Sequence, residues 1–183
     1  MALKMIFDAK TSEILGAQGV GIEGVDKRID VIATAIRGGI TAPELADLEL
    51  AYAPPFGSAK DAINMLGYIS ENILSGLLET AQWSQIEQFQ NNGFELLDVR
   101  TSSEFAAGSI PGAKSMPVDE IRGRVSELTT KNILVNCQVG QRGHTASMLL
   151  KELGYNAINL DGGYLTWSNS PASTTKKEKE YVS

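Results

Sequence analysis

Residues 133–154, ILVNCQVGQRGHTASMLLKELG, constrain this chain more than any other stretch. Ile133, Leu134 and Val135 form a short apolar run of the kind that makes a buried parallel strand. Apolar residues then recur at Ala146, Met148, Leu149, Leu150 and Leu153, a helical pattern that Gly154 stops. Between strand and helix lies the single cysteine, Cys137, followed by Gln138, Val139, Gly140, Gln141, Arg142 and Gly143. A thiol at a strand end, in a tight loop that opens a helix, sits where backbone N–H groups converge and the helix dipole is positive. Arg142 adds a fixed cation. All three favour the thiolate, the nucleophilic form. The alternative is a buried structural cysteine, since free cysteines are among the most buried residues. A structural cysteine, however, does not need a glycine and an arginine behind it at such a turn.

Strands and helices alternate over the rest of the second half. Trp83, Ile86 and Phe89 give a helix face that ends at Asn91, Asn92 and Gly93. Residues 94–99 are apolar apart from Glu95 and Asp98, as in a central strand. Thr101 with Glu104 has the form of a capping box for a short helix over residues 105–107. A turn over residues 108–113 precedes a helix over residues 118–128. The strand and long helix around Cys137, a strand over residues 157–160 and a helix around residues 164–167 complete the pattern. Alternation of this kind predicts a parallel-type sheet flanked by helices, with the cysteine loop at the carboxyl end of a strand, where such sheets place their sites.

Four motifs stand in one order: FELLDVR at 94–100, TSSEFAAGSIPGA at 101–113, the CQVGQRG loop at 137–143, and NLDGGYLTW at 159–167. Together they resemble the rhodanese family of sulfurtransferases over roughly residues 80–170. The resemblance implies that Cys137 takes a sulfane sulfur from a donor, holds it as a persulfide and passes it to a thiol or cyanide acceptor. It also implies that the N–H groups of Gln138, Val139, Gly140, Gln141 and Gly143 cradle that sulfur, while Arg142 steadies its charge or the donor's. Asp98 and Arg100, within the strand motif, are read as structural residues that fix nearby loops. His144, the sole histidine, is conceivable as a general base beside Cys137; a surface position facing solvent or a fused domain is preferred.

The first half reads as α+β. Apolar runs at residues 3–7 and 14–17 suggest a hairpin. Asp26 is the expected N-cap of a helix through Ile29, Ile32, Ala33 and Ile36, ended by Gly38 and Gly39. A short helix is expected from Pro43 to Leu48, and helical spacing returns over residues 59–78. Residues 19–24, GVGIEG, satisfy the dinucleotide-binding glycine pattern, but in that fold the helix begins within the glycines. A helix capped at Asp26, without strands for a βαβ unit, makes them turn glycines instead.

DLELAYAPPFGSAKDAIN at 47–64, with LKMIFD at 3–8 and the helix after Asp26, resembles the dimerisation domain of FAD-dependent pyridine nucleotide-disulfide oxidoreductases. The type is the coenzyme A-disulfide reductase or NADH-dependent persulfide reductase that carries a fused rhodanese domain. Tyr52 then matches the tyrosine that reaches across that family's dimer; packing over Pro54 and Pro55 is the alternative. The family's flavin and nicotinamide domains would precede Met1, so the chain reads as the C-terminal part of a longer reductase. It is expected to bind no cofactor alone, with FAD, NAD(P)H and coenzyme A implied for the full-length parent. Homodimerisation through the first half is expected. Lys10, Lys27, Arg28 and Lys60 are candidates for coenzyme A phosphates, without a distinguishing pattern.

The expected division is a dimerisation-type domain over 1–78, a rhodanese-like domain over 79–170 and a disordered charged tail over 171–183. A net charge of −6 and the lack of a basic stripe argue against nucleic acid. No apolar run approaches the roughly 20 residues of a membrane helix. One cysteine and no signal-peptide layout point to the cytoplasm. No metal site is expected. Two rival functions remain. One is a small phosphatase, whose loop carries one more residue between cysteine and arginine than the four found here. The other is a non-catalytic interaction module.

Overall fold

A computed structural model describes residues 1–55 and 57–173, in two compact units that divide between Leu77 and Leu78. In the first unit, β1 (Ala2–Phe7) and β2 (Ile14–Val20) pair antiparallel as the expected hairpin. Its turn is tied by Asp8, whose Oδ1 accepts from the N–H groups of Lys10 and Thr11 at 2.7 and 2.8 Å. Helix α1 (Val25–Gly38) lays Ile32 and Ala35 on a core with Ile14, Ala42, Leu45 and Ile63. A 3-10 turn over Pro43–Asp47 follows, then helix α2 (Ala62–Leu74). Asp61 caps α2 reciprocally with Asn64, and so delays its start beyond the residue 59 expected from periodicity.

The α1 cap is corrected by the structure. Gly24, with φ of 65°, is the N-cap, and Asp26 falls in the first turn without a capping bond. Glycine enters the left-handed region without steric cost, so it can aim the chain into the helix earlier than an aspartate could. The glycines of residues 19–24 serve the hairpin and this entry: a β-carbon on Gly19 would lie 2.6 Å from Val25, and one on Gly21 would lie 2.8 Å from the Met1 backbone.

The second unit holds a five-stranded sheet in the order β3-β7-β6-β4-β5, every neighbouring pair parallel. In chain order its elements are β3 (Thr80–Ala81), α3 (Ile86–Asn91), β4 (Glu95–Asp98), α4 (Ser102–Ala106), β5 (Lys114–Ser115), α5 (Ile121–Arg124), β6 (Asn132–Asn136), α6 (Gln141–Glu152), β7 (Asn156–Leu160) and α7 (Gly163–Ser168). Strand side chains alternate between two buried faces. Leu97, Ile133, Val135 and Ala157 join Ala146 and Leu150 of α6 on one face. Leu96, Leu134, Ile158 and Leu160 join Ile86 and Trp167 on the other.

The single helix expected over residues 118–128 is instead three short pieces: a 3-10 turn at Val118–Glu120, then α5, then a 3-10 turn at Val125–Glu127. Strands β3 and β5, two residues each, are too short to leave an alternation in the sequence. The expected disordered tail opens on three residues, 171–173, that are helical, with Ser173 Oγ donating to the carbonyls of Ser168 and Ser170 at 2.7 and 2.9 Å. Residues 174–183 lie outside the described residues. No described helix is long and apolar enough to cross a membrane.

Candidate active site around Cys137

Cys137 follows the last residue of the central strand β6, at the carboxyl edge of the sheet. The loop behind it is held from below by α7. Tyr164 N–H donates to the Cys137 carbonyl at 2.7 Å, and Leu165 N–H to that of Gln138 at 3.0 Å. This approach needs a glycine at the start of α7, because a β-carbon on Gly163 would lie 2.3 Å from the Cys137 oxygen. The DGG of the NLDGGYLTW motif thus serves backbone contact.

The loop turns into α6 at Gly140, whose φ of 109° only glycine adopts readily. That turn aims the Gly140 N–H at the cysteine sulfur, 3.1 Å away. An N–H donor on sulfur, at a helix N-terminus, suits a sulfur that carries negative charge. Of the loop amides singled out from the sequence, Gly140 is the one hydrogen-bonded to Sγ. Gln138 contributes its carbonyl to α7 and its side chain to Arg100, whose Nη1 donates to Oε1 at 3.3 Å. Val139 is exposed at 56% and Gln141 also faces outward. Gly143 packs beside the sulfur, where a β-carbon would sit 3.6 Å from Sγ.

Cys137 itself is only 1% exposed. Burial alone fits the structural-cysteine alternative. The Gly140 N–H on the sulfur does not follow from that alternative, which needs packing and nothing more.

Arg142, read from the sequence as a fixed cation, is held by a carboxylate. Its Nη1 and Nη2 donate to Oε2 and Oε1 of Glu104, both at 2.7 Å. The Glu104 bonds, with the nearby Cys137 charge adding a smaller share, hold the guanidinium above its ordinary range against the effect of burial. In turn Arg142, helped by Thr101, draws the Glu104 carboxyl down to about 2. The capping box of α4 is present as expected: Glu104 Oε2 accepts from Thr101 N–H, and Thr101 Oγ1 from Glu104 N–H. What the motif did not disclose is that the same carboxylate reaches the sulfur loop.

Asp98 and Arg100 form a buried ion pair at 2.8 Å, exposed 0% and 2% at their side chains. Arg100 also donates to the Gly108 carbonyl at 2.7 Å and stacks 4.0 Å from the Tyr164 ring centroid, while Asn136 Nδ2 donates to Asp98 at 3.0 Å. Arg100, Glu104, Ala107, Gln138 and Tyr164 line a cleft of about 300 Å³ beside the loop. His144 is half-buried, with its Nδ1 buried and unpaired among the described groups. Among the described residues no cluster of His, Cys, Asp and Glu could hold a metal ion.

Tyr52 belongs to the first unit, in an irregular stretch, and is 51% exposed. Of the four candidate phosphate-binding cations, Arg28 is engaged with Asp61 at 2.6 Å and Lys60 lies over the Tyr68 ring. The glycines at 19–24 do not have the setting of a dinucleotide-binding loop. The glycine pattern at 19–24 leaves an antiparallel strand rather than opening a helix from a parallel one, and its glycines are filled by Val25 and Met1.

Residues 81–170 match the family described as Rhodanese-like domain, and residues 1–63 match that of the pyridine nucleotide-disulphide oxidoreductase dimerisation domain. A coenzyme A disulfide reductase from Staphylococcus aureus (strain bovine RF122 / ET3-1) is 50% identical over 66 residues, 36% of this chain and 15% of that protein. The crystal structure of reduced Bacillus anthracis CoADR-RHD superimposes with a TM-score of 0.87 at 46% identity, covering 91% of this chain and 30% of that one. A NAD-dependent persulfide reductase from A. fulgidus gives a TM-score of 0.81 at 36% identity, covering 90% and 30%. The chain therefore spans less than a third of the length of each of these relatives.

Proposed function

We propose that this chain, which joins a pyridine nucleotide-disulphide oxidoreductase dimerisation domain to a rhodanese-like domain and belongs to those two families, moves sulfane sulfur through a persulfide on Cys137. The observation that carries the reading is the Gly140 N–H held 3.1 Å from Sγ at the mouth of α6. In the first step the Cys137 thiolate attacks the outer sulfur of a persulfide or thiosulfate donor. A sulfur–sulfur bond forms at Cys137 while the donor's own breaks, and the donor leaves with the electron pair as a thiolate or as sulfite. In the second step a thiolate or cyanide attacks the terminal sulfur and Cys137 departs as thiolate. Charge is conserved in both steps, and the Gly140 dipole offsets it on the cysteine side throughout. Arg142, oriented by Glu104, supplies a second, partly neutralised positive group.

The full-length parent is read as a flavin- and NAD(P)H-dependent coenzyme A-disulfide, persulfide or polysulfide reductase of the cytoplasm. In it the first unit would pair two copies, with Tyr52 a candidate contributor across the dimer. The rhodanese unit would then deliver persulfide to the reductase centre or turn over freely. Comparing this chain with the intact reductase on coenzyme A persulfide separates those two modes.

The test on this chain is intact mass after incubation with thiosulfate or polysulfide. A gain of one sulfur atom, reversed by reductant, missing in Cys137→Ser and yielding thiocyanate with cyanide, is the expected result. A folded chain that gains no sulfur is a non-catalytic module, which the burial of Cys137 would then explain. Release of phosphate from an aryl phosphate would favour the phosphatase.

A further inference from the structure

We propose that Asn159 is a positioning residue of the sulfur loop: its side-chain amide anchors the Gly140 carbonyl and so holds the turn that keeps the Gly140 N–H on the Cys137 sulfur. The inference rests on the reading of Cys137 as the working thiol, but not on any particular donor. Asn159 stands on β7, in register with Val135 of β6, two residues before Cys137. It is 5% exposed, between the apolar Ile158 and Leu160 in the buried part of its strand. Its Nδ2 donates to the Gly140 carbonyl at 3.1 Å.

That bond answers a local need. Gly140 is the N-cap of α6, and as a glycine it offers no side-chain oxygen to the helix and no β-carbon to restrict its own rotation. The loop's orientation must therefore be set from outside. Gly140 C=O already accepts the His144 N–H within α6 at 2.9 Å, and Asn159 adds the second donor, from the sheet. The Gly140–Gln141 peptide is thus pinned between helix and strand, and across the Gly140 Cα, at its φ of 109°, the N–H of the preceding peptide points to Sγ.

Packing alone does not account for the asparagine. Its Oδ1 is buried without a partner, a state that an apolar side chain of the same size would avoid. Oδ1 faces the space beside Gly143, where a β-carbon would lie 2.2 Å from it and 3.6 Å from Cys137 Sγ. The amide thus borders the sulfur as a neutral group, one atom fixing the loop and the other close to the thiol. A carboxylate of the same shape would lose the donor and place negative charge beside the thiolate, whereas Arg142, the cation that interacts with Cys137, and its partner Glu104 would be unchanged.

The experiment uses the single cysteine as its own reporter. With cysteine labelled at 13Cβ, its one resonance follows the thiol-to-thiolate change with pH, whether or not a reagent can reach the sulfur. In Asn159→Asp the midpoint of that profile is expected to rise by about one pH unit or more, from charge and lost clamp together. In Asn159→Ala it rises less, and sulfur loading at neutral pH falls about tenfold. If both variants fold and both profiles overlay the wild type, the proposal is wrong. Should neither fold, the wild type still decides: the Asn159 side-chain NH2 resonances must shift together with the cysteine titration, and resonances indifferent to it overturn the assignment. A wild type that gains no sulfur, but whose profile moves in the variants, sinks the transferase reading and leaves this one standing.

Discussion

Glu104 and Arg142 face each other through two hydrogen bonds of 2.7 Å, and each belongs to the opening turn of a helix. The pair joins the first turn of α4 to the first turn of α6. Through Thr101 it also joins the residue that follows Arg100 to the one that precedes Gly143. The sulfur loop is in this way held on three sides: by Glu104 at Arg142, by Arg100 at Gln138 and by Asn159 at Gly140.

The Glu104–Arg142 pair gives the protein an acid-sensitive contribution to stability. The folded-state carboxyl lies at about 2, below its ordinary 4.5. A depressed carboxyl stabilises the fold above its unfolded value, and that contribution is lost as pH falls through the folded one. Both side chains are about one-third exposed, so solvent screening limits the pair to roughly 1 kcal/mol or less. Glu104→Gln keeps a side chain that can complete the capping box but removes the charge. In urea titrations the variant should be less stable than wild type by about that amount at pH 6. The two should converge between pH 4.5 and pH 2. A gap that stays constant over this interval would assign the loss to the cap rather than to the ion pair.

The Asp98–Arg100 pair should be far more costly to break. With both groups almost fully buried, Asp98→Asn leaves a guanidinium without its counter-charge, a loss of about 3–5 kcal/mol. Asp98→Asn is expected to lower the stability of the second unit by that amount. Asp98→Leu combined with Arg100→Met should cost less than Asp98→Asn, because no unpaired charge is buried. Equilibrium unfolding followed at Trp83 and Trp167 measures both. A double variant as unstable as the single one would mean that the bonds to Gly108 and Gln138, not the charge, carry the loss.

The contrast between these two pairs shows what a sequence discloses. Strand β6, its loop and α6 were legible because periodicity and the stop at Gly154 are local signals, and so was the Thr101–Glu104 cap, three residues long. Glu104 as the partner of Arg142 was not, since nothing local connects residues 38 apart. Nor was the role of Asn159, although a lone amide between Ile158 and Leu160 was a signal that could have been pursued. The burial of Cys137 was one of two readings open in the sequence, because residue type favours it and loop position does not. Asp26 misled for a different reason. Cap preference favours aspartate in general, but here a glycine two residues earlier already made the turn that a cap requires.

Gly67 tests the packing of the first unit. It lies within α2, where alanine is normally better by about 1 kcal/mol. A β-carbon there would lie 2.2 Å from the Ala46 nitrogen and 2.8 Å from its Cα, and backbone cannot turn aside as a side chain can. Overpacking of about 1–3 kcal/mol then outweighs propensity. Gly67→Ala should be destabilising, whereas Gly38→Ala, with open space around it except Ile40 at 3.9 Å, should be neutral or slightly stabilising. Thermal unfolding of the two variants checks the order. Equal melting temperatures would show that the contact of α2 with residue 46 yields without cost.

Gly143 offers the sharpest test of how the sulfur loop is assembled. A methyl group added there would overlap Asn159 Oδ1 at 2.2 Å, yet would meet Cys137 Sγ at an ordinary 3.6 Å. The collision is thus with the Asn159 amide rather than with the cysteine sulfur. Gly143→Ala should push the Asn159 amide away from Gly140, lower stability by about 1–3 kcal/mol and reduce sulfur loading at least tenfold. Asn159→Ala removes the group that collides, so the double variant should be more stable than the sum of the two single losses predicts, with a coupling of about 1 kcal/mol or more. Sulfur loading should not recover with it, because the Gly140 carbonyl still lacks its second donor. Additive stabilities would place the overlap elsewhere in the loop. Recovery of loading in the double variant would show that Gly143, and not Asn159, sets the geometry at the sulfur.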